Sequence, residues 1–161
     1  MRKIVWEYGS IERNLDEMRE LGKQSWEENV ITKNFDVTAE YDIYDDFFYA
    51  CEQNGILGVM IGRDPETQEL VGMYIAILTP WLFCRNIMMS SEVVWYIRRD
   101  YATKSNFLEF LRAVETANAE WGADFVGITL QDKGNVDRVR ESMRRQEYVL
   151  TNLFLLKKVG G

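Results

Sequence analysis

The chain has 161 residues, 47% of them apolar, which is material for one sizeable core; its 26 acidic and 19 basic side chains leave a net charge of -7 that repels a phosphate backbone and argues against nucleic acid as a partner. Histidine is absent, which removes the usual general base and the commonest transition-metal ligand, and Cys51 and Cys84 stand in no CxxC spacing, so neither a metal site nor a disulfide framework is expected. No run approaches the roughly 20 apolar residues of a membrane span, and the first ten residues lack the apolar stretch of a signal peptide, so a single cytoplasmic domain over 1–161 with no membrane partner is the expectation.

Lys3–Tyr8 reads as a first strand. Ile11, Leu15, Met18, Leu21 and Trp26 then recur at helical spacing through a charged segment, an amphipathic helix with Ser10 as its N-cap. A shorter helix is expected over Tyr41–Gln53, with Ile43, Tyr44, Phe47, Phe48 and Cys51 on one face and Asn54-Gly55 as its stop. Ile56–Arg63 and Glu69–Leu78 are apolar, β-rich runs joined by Asp64-Pro65-Glu66-Thr67-Gln68, the pattern of an antiparallel hairpin.

Thr79–Ser90, rich in Trp, Phe and Met, reads as a long connection, and Glu92–Arg98 as the next strong strand. Phe107, Leu108, Leu111, Val114, Ala117, Asn118 and Trp121 follow helical spacing up to Gly122, and a short strand is expected over Phe125–Leu130. Asn135–Arg145 is a charged helix with Val136, Val139 and Met143 on one side. Its Arg138, Arg140, Arg144 and Arg145 read as a solvated face. Tyr148–Val159 closes the chain as a strand. The order β-α-α-β-β-β-α-β-α-β predicts an α/β domain: a mixed sheet with helices on both faces, in which Glu92–Arg98 and Phe125–Leu130 are parallel neighbours.

Several local sequences fit one family. Tyr96-Ile97-Arg98-Arg99-Asp100-Tyr101 is similar to a strand end written Y-V-x-P-[DE]-Y, and Gly122-Ala123-Asp124-Phe125-Val126 to the break between a central helix and the following strand. Arg145-Gln146-Glu147-Tyr148-Val149 stands where K-L-G-F is usual, and Phe154-Leu155-Leu156-Lys157-Lys158 resembles a closing strand. Together they resemble the GNAT superfamily of acetyl-CoA-dependent N-acetyltransferases over nearly the whole chain. Residues 80–85 and the segment after them resemble versions of the family carried by tailed phages.

The resemblance implies the GNAT fold, splayed between its fourth and fifth strands, with acetyl-CoA as cosubstrate and its pyrophosphate on the amides that start the central helix. The family's loop is [QR]-x-x-G-x-[GA]; here it reads Ala102-Thr103-Lys104-Ser105-Asn106-Phe107, so the Arg/Gln and both glycine positions are replaced. A non-glycine residue held in left-handed geometry there would cost about 1–2 kcal/mol. Lys104 brings a cation, and Thr103 or Ser105 can cap the helix.

The cofactor contacts implied by the resemblance fall on Tyr96, Ile97, Arg98, Lys104, Ser105, Asn106, Phe107 and Asn135. Some members carry a Glu base on the fourth strand, near the place of Glu92. The helix Tyr that serves others as acid is replaced, by Ser142-Met143. Tyr148, at the family's aromatic position, is the remaining proton-donor candidate, a position more often given to core packing than to proton donation. Trp81, Phe83, Trp95 and Tyr41 line either an acceptor cleft or the core. Two functions are thus expected: acyl transfer from acetyl-CoA to an amine on a small molecule or protein, or a non-catalytic interaction or virion-associated module. A homodimer or a virion protein is the implied further partner.

Overall fold

The computed structural model describes residues 2–29, 31, 34, 42, 45–82, 84–130 and 136–151. One mixed sheet holds five strands in the order β1-β2-β3-β4-β5: β1 (Val5–Tyr8), β2 (Leu57–Arg63), β3 (Leu70–Trp81), β4 (Cys84–Ile97) and β5 (Phe125–Gly127). The first four are antiparallel neighbours, and β5 runs parallel to β4, as the sequence order predicts. The described residues also include α1 (Ile11–Glu27), α2 (Asp45–Gln53), α3 (Lys104–Glu120) and α4 (Val136–Arg144).

Helix α1 starts where Ser10 breaks the extended chain, and the Ser10 hydroxyl accepts the Arg13 N–H at 3.2 Å. The amides of Ile11 and Glu12 are orphans of the first turn, and the carboxylate of Glu52 on α2 accepts both, at 2.7 and 3.3 Å. The apolar stripe of α1 (Ile11, Met18, Leu21) packs on Val59, Ile61, Met73, Ile75 and Tyr96 of the sheet. On the opposite face, α3 buries Phe110, Leu111, Val114 and Ala117 against Val71, Tyr74, Ala76 and Ile97. It ends at Gly122, whose φ of 82° is the left-handed geometry glycine adopts without a Cβ penalty. Close approach explains a second glycine pair. Gly62 and Gly72 are cross-strand partners, and a Cβ on Gly72 would sit 2.6 Å from the Trp6 ring, so the pair forms a seat for that indole.

Three expectations change. Thr79–Ser90 is no connection: β3 and β4 continue as a ribbon with Thr79 opposite Met89, Pro80 opposite Met88 and Trp81 opposite Cys84. Pro80 is tolerated there because β2 ends at Leu57, opposite Ile77, so the missing N–H faces no strand. β5 is shorter than expected, stopping at Gly127. The described start of the expected closing strand, Tyr148–Thr151, is not β-structure, and 152–159 lie outside the described residues. Three arginines of the basic run on and after α4 are paired locally, Arg140 with Asp137 at 2.7 Å, Arg144 with Glu141 at 2.9 Å and Arg145 with Glu141 at 3.1 Å.

Candidate functional site

β3 accompanies β4 along its whole length, whereas β5 accompanies it for three rungs only: Met89–Phe125, Ser90–Val126 and Ser91–Gly127. From Glu92 to Ile97 the outer edge of β4 has no strand partner among the described residues. The divergence coincides with a β-bulge. Ile75 pairs with Val94 and Ala76 with Glu92, so Val93 is the extra residue, which bends the strand. The bulge also resets the alternation of side chains, so Ser90, Glu92, Trp95 and Ile97 share the face toward α3, while Val94 and Tyr96 turn to α1.

Along that face the side chains carry polar work in sequence. The hydroxyls of Ser90 and Tyr74 lie 3.3 Å apart, and Asn118 on α3 donates to the Tyr74 oxygen at 3.2 Å, all three residues being fully buried. Glu92, half-buried, accepts the Thr129 N–H at 2.8 Å. Burial pushes its carboxyl above the ordinary range, with the Thr129 hydrogen bonds opposing. Trp95 donates its indole N–H to the Thr129 carbonyl at 2.8 Å and stacks on Phe110 with ring centres 5.2 Å apart.

β4 leads into a 3-10 turn, Arg99–Tyr101, and then α3. Arg98 pairs with Asp100 at 2.9 Å and Glu69 at 3.2 Å, with its guanidinium 4.9 Å from the centre of the Tyr101 ring. The Tyr101 hydroxyl donates to Asp64 in the β2–β3 loop, which fixes the turn to the hairpin. Thr103, not Ser105, caps α3, accepting the Asn106 N–H at 3.2 Å. The amides of Lys104 and Ser105 keep no intramolecular partner among the described residues. The segment reaches the helix with φ of -75° at Ala102 and -101° at Thr103, and no residue of 102–107 is left-handed. The strain expected from the missing glycines is therefore not incurred.

The implied cofactor residues separate into two groups. Lys104 is exposed and Ser105 half-buried at the helix start. Asn106 is buried and ties the Arg2 and Tyr101 carbonyls together at 3.1 and 2.8 Å. Phe107 packs beside Trp95 and Phe110, below the loop. Tyr96 is buried on the α1 face, where desolvation and the nearby Glu28 carboxylate push its hydroxyl up to about 12. Ile97 is buried against α3. Tyr148 follows Glu147, whose φ of 65° turns the chain out of α4, and packs on the α3-side core. Burial first, and the charge of Glu115 second, push its hydroxyl far above the ordinary Tyr range, so it stays protonated. Asn135, Phe83 and Tyr41 lie outside the described residues, and Trp81 is half-exposed at the ribbon tip.

Sequence reasoning missed Thr129 and the Ser90–Tyr74–Asn118 chain. Their contacts join residues 16 to 44 positions apart, which no local pattern encodes. The one signal is Asn118 itself, a polar residue standing in the apolar stripe of α3. A hollow of about 270 Å³ lined by Trp6, Tyr8, Met60 and Arg112 lies at the β1 edge.

An unpaired strand edge beside a bulge, a short parallel partner and a helix with free amides at the strand's end form a distinctive combination. The chain has the GNAT acetyltransferase fold. No protein-family model and no curated protein matches it. A ribosomal-protein-alanine N-acetyltransferase from Brucella melitensis biovar Abortus 2308 superposes with a TM-score of 0.63 at 13% identity, over 98% of this chain and 99% of that one. AAC(6')-Iy, in complex with the bisubstrate analogue CoA-S-monomethyl-acetylneamine, gives 0.67 at 12% identity, over 97% and 99%. An aminoglycoside acetyltransferase from an uncultured soil metagenomic sample, in complex with sisomicin, gives 0.64 at 12%, over 96% and 97%. Identities this low speak to the fold alone. No helix among the described residues is long and apolar enough to cross a membrane.

Proposed function

We propose that this GNAT-fold chain is an acyl-CoA-dependent N-acyltransferase that passes an acetyl group from acetyl-CoA to an amine. The observation that carries the reading is the continuity of the bare β4 edge, Glu92–Ile97, with the free Lys104 and Ser105 amides of α3. An extended arm bearing amides finds strand-type partners along the first, near Tyr96 and Ile97. A pyrophosphate finds donors, the positive end of the helix and the Lys104 ammonium at the second. Acetyl-CoA supplies an activated thioester when bound.

The chain's own groups supply the rest. Attack requires a neutral amine, so a proton must leave it; as the C–N bond forms the thioester C–S bond breaks, and the released coenzyme A sulfur leaves as a thiolate that takes up a proton from solvent. Glu92, with its carboxyl pushed above the ordinary range by burial, stands beside the β4 bulge as the acceptor of that proton. Backbone amides of β4 near the bulge are suited to polarise the carbonyl oxygen. Arg98 and Asn106 hold the loop that presents Lys104 and Ser105. Tyr148 acts by packing, its hydroxyl remaining protonated throughout. The second reading, a non-catalytic interaction or virion-associated module, draws support from one observation: Glu92 and Trp95 already fill the opening between β4 and Thr129.

Calorimetry and thermal shift with acetyl-CoA decide between them, since a ligand at 100 times its dissociation constant adds about 2.7 kcal/mol of stability. With an acceptor amine found, Glu92→Gln lowers turnover by about 10²–10⁴-fold and Tyr148→Phe leaves it near wild type. Full activity of Glu92→Gln from pH 6 to 9, alongside an inactive Tyr148→Phe, would reverse these assignments. Absence of acetyl-CoA binding favours the interaction module.

A further inference from the structure

Thr129 lies two residues beyond the last β4–β5 rung, at Gly127. In a continued parallel ladder its N–H and C=O would bond to the β4 main chain. Both instead end on β4 side chains, the N–H on the Glu92 carboxylate and the C=O on the Trp95 indole, each at 2.8 Å. The bulge at Val93 makes this geometry available, because it places two residues three positions apart on one face. Trp95 is held in turn by its stack on Phe110 and its tilted contact with Phe107. The opening beside β4 is therefore bridged by side chains, and its walls are joined by a donor and an acceptor of the kind an amide carries.

We propose that Glu92 and Trp95 clamp Thr129 to keep the opening closed in the free protein, and that an extended, amide-bearing arm enters only by replacing the clamp. The proposal rests on the acyl-CoA reading, for which the arm is the pantetheine portion of coenzyme A. Trp95 is then a positioning residue that sets donor affinity, and Glu92 becomes free to take a proton only after the donor is seated.

The variant that isolates the clamp is Trp95→Phe, which keeps the ring on Phe110 and removes the N–H. In the free protein, hydrogen exchange at the Thr129 amide should quicken by about fivefold in Trp95→Phe, since opening loses one net hydrogen bond. Glu92→Ala should do the same to the Trp95 indole N–H, and serves if Trp95→Phe folds poorly. Unchanged exchange in both variants overturns the clamp. Coenzyme A and free pantetheine should each bind Trp95→Phe about fivefold more tightly than wild type, and should shift the Trp95 indole N–H resonance of the wild type. A clamp that merely braces the fold predicts equal or weaker binding. Equal binding to both proteins overturns displacement and leaves the acyl-CoA reading standing. Binding to neither overturns that reading, and displacement with it.

Discussion

Under α1 the sheet is packed by aliphatic side chains, Ile11, Leu21, Val59, Ile61 and Ile75 among them, whereas between the sheet and α3 Trp6, Tyr74 and Trp95 of the strands and Phe110 of the helix stand beside Ser90, Glu92 and the helix residue Asn118. Aliphatic packing is non-directional and depends on filled volume, so the α1 face mainly braces the sheet. Hydroxyls, carboxylates and indoles on the α3 face bond in fixed directions, as Ser90, Tyr74, Glu92 and Trp95 do, whereas the buried Trp6 indole N–H has no partner among the described residues. Every group aimed into the β4–β5 opening comes from this second face. The bulge at Val93 is what lets one strand serve both, by turning Tyr96 to the aliphatic side while Glu92 and Trp95 stay on the polar one.

The contrast breaks or sharpens under substitution, and the largest effect belongs to Phe110. It is fully buried and touches Trp6, Tyr74, Trp95 and Phe107, so Phe110→Ala should cost about 3–5 kcal/mol in urea unfolding. Tyr74→Phe should cost about 1–3 kcal/mol, because the Ser90 hydroxyl and one bond of the Asn118 amide lose their acceptor or donor inside the core. Ile75→Val, on the aliphatic side, should cost about 0.5–1.5 kcal/mol. A Tyr74→Phe variant as stable as wild type, next to a costly Ile75→Val, would show that volume governs both faces and that the polar chain carries no structural weight.

How much of this was legible in the sequence follows from the range of the interactions. Helix α1 and its Ser10 cap, the β2–β3 hairpin, α3 and its stop at Gly122, and the parallel β4–β5 pair all arise from spacings or residues within one element, or from the order of elements. The ribbon of Thr79–Ser90 was obscured because Pro80 and the Trp/Met-rich run resemble a loop until it is known that β2 stops short of them. The candidate loop was legible in position but not in geometry. Absent glycines suggested strain, whereas the chain reaches the helix through Ala102 and Thr103 at ordinary φ. The Thr129 clamp was illegible, because a bulge one residue wide decides which way Trp95 points and no propensity marks it.

The smallest expected effect tests whether Glu92 belongs to the desolvated face or to the solvent. Its folded carboxyl is raised above the ordinary 4.5, chiefly by burial, with the Thr129 hydrogen bonds pulling the other way. A carboxyl raised on folding favours the folded state in its protonated form. That contribution is complete below about pH 4.5 and is lost as pH climbs through the folded value, above which the chain carries a half-buried charge. Glu92→Gln keeps an oxygen for the Thr129 N–H and has no charge to bury. Its melting temperature relative to wild type should therefore rise as pH climbs from about 4.5 through the folded value and then level off, since every other carboxylate is common to both proteins and cancels in the difference. A difference that falls over the same interval would mean that the hydrogen bonds from Thr129 outweigh burial and favour the ionised form. Glu92 would then be a satisfied anion, poorly suited to accept a proton, and the polar face of the sheet would be a brace like the other.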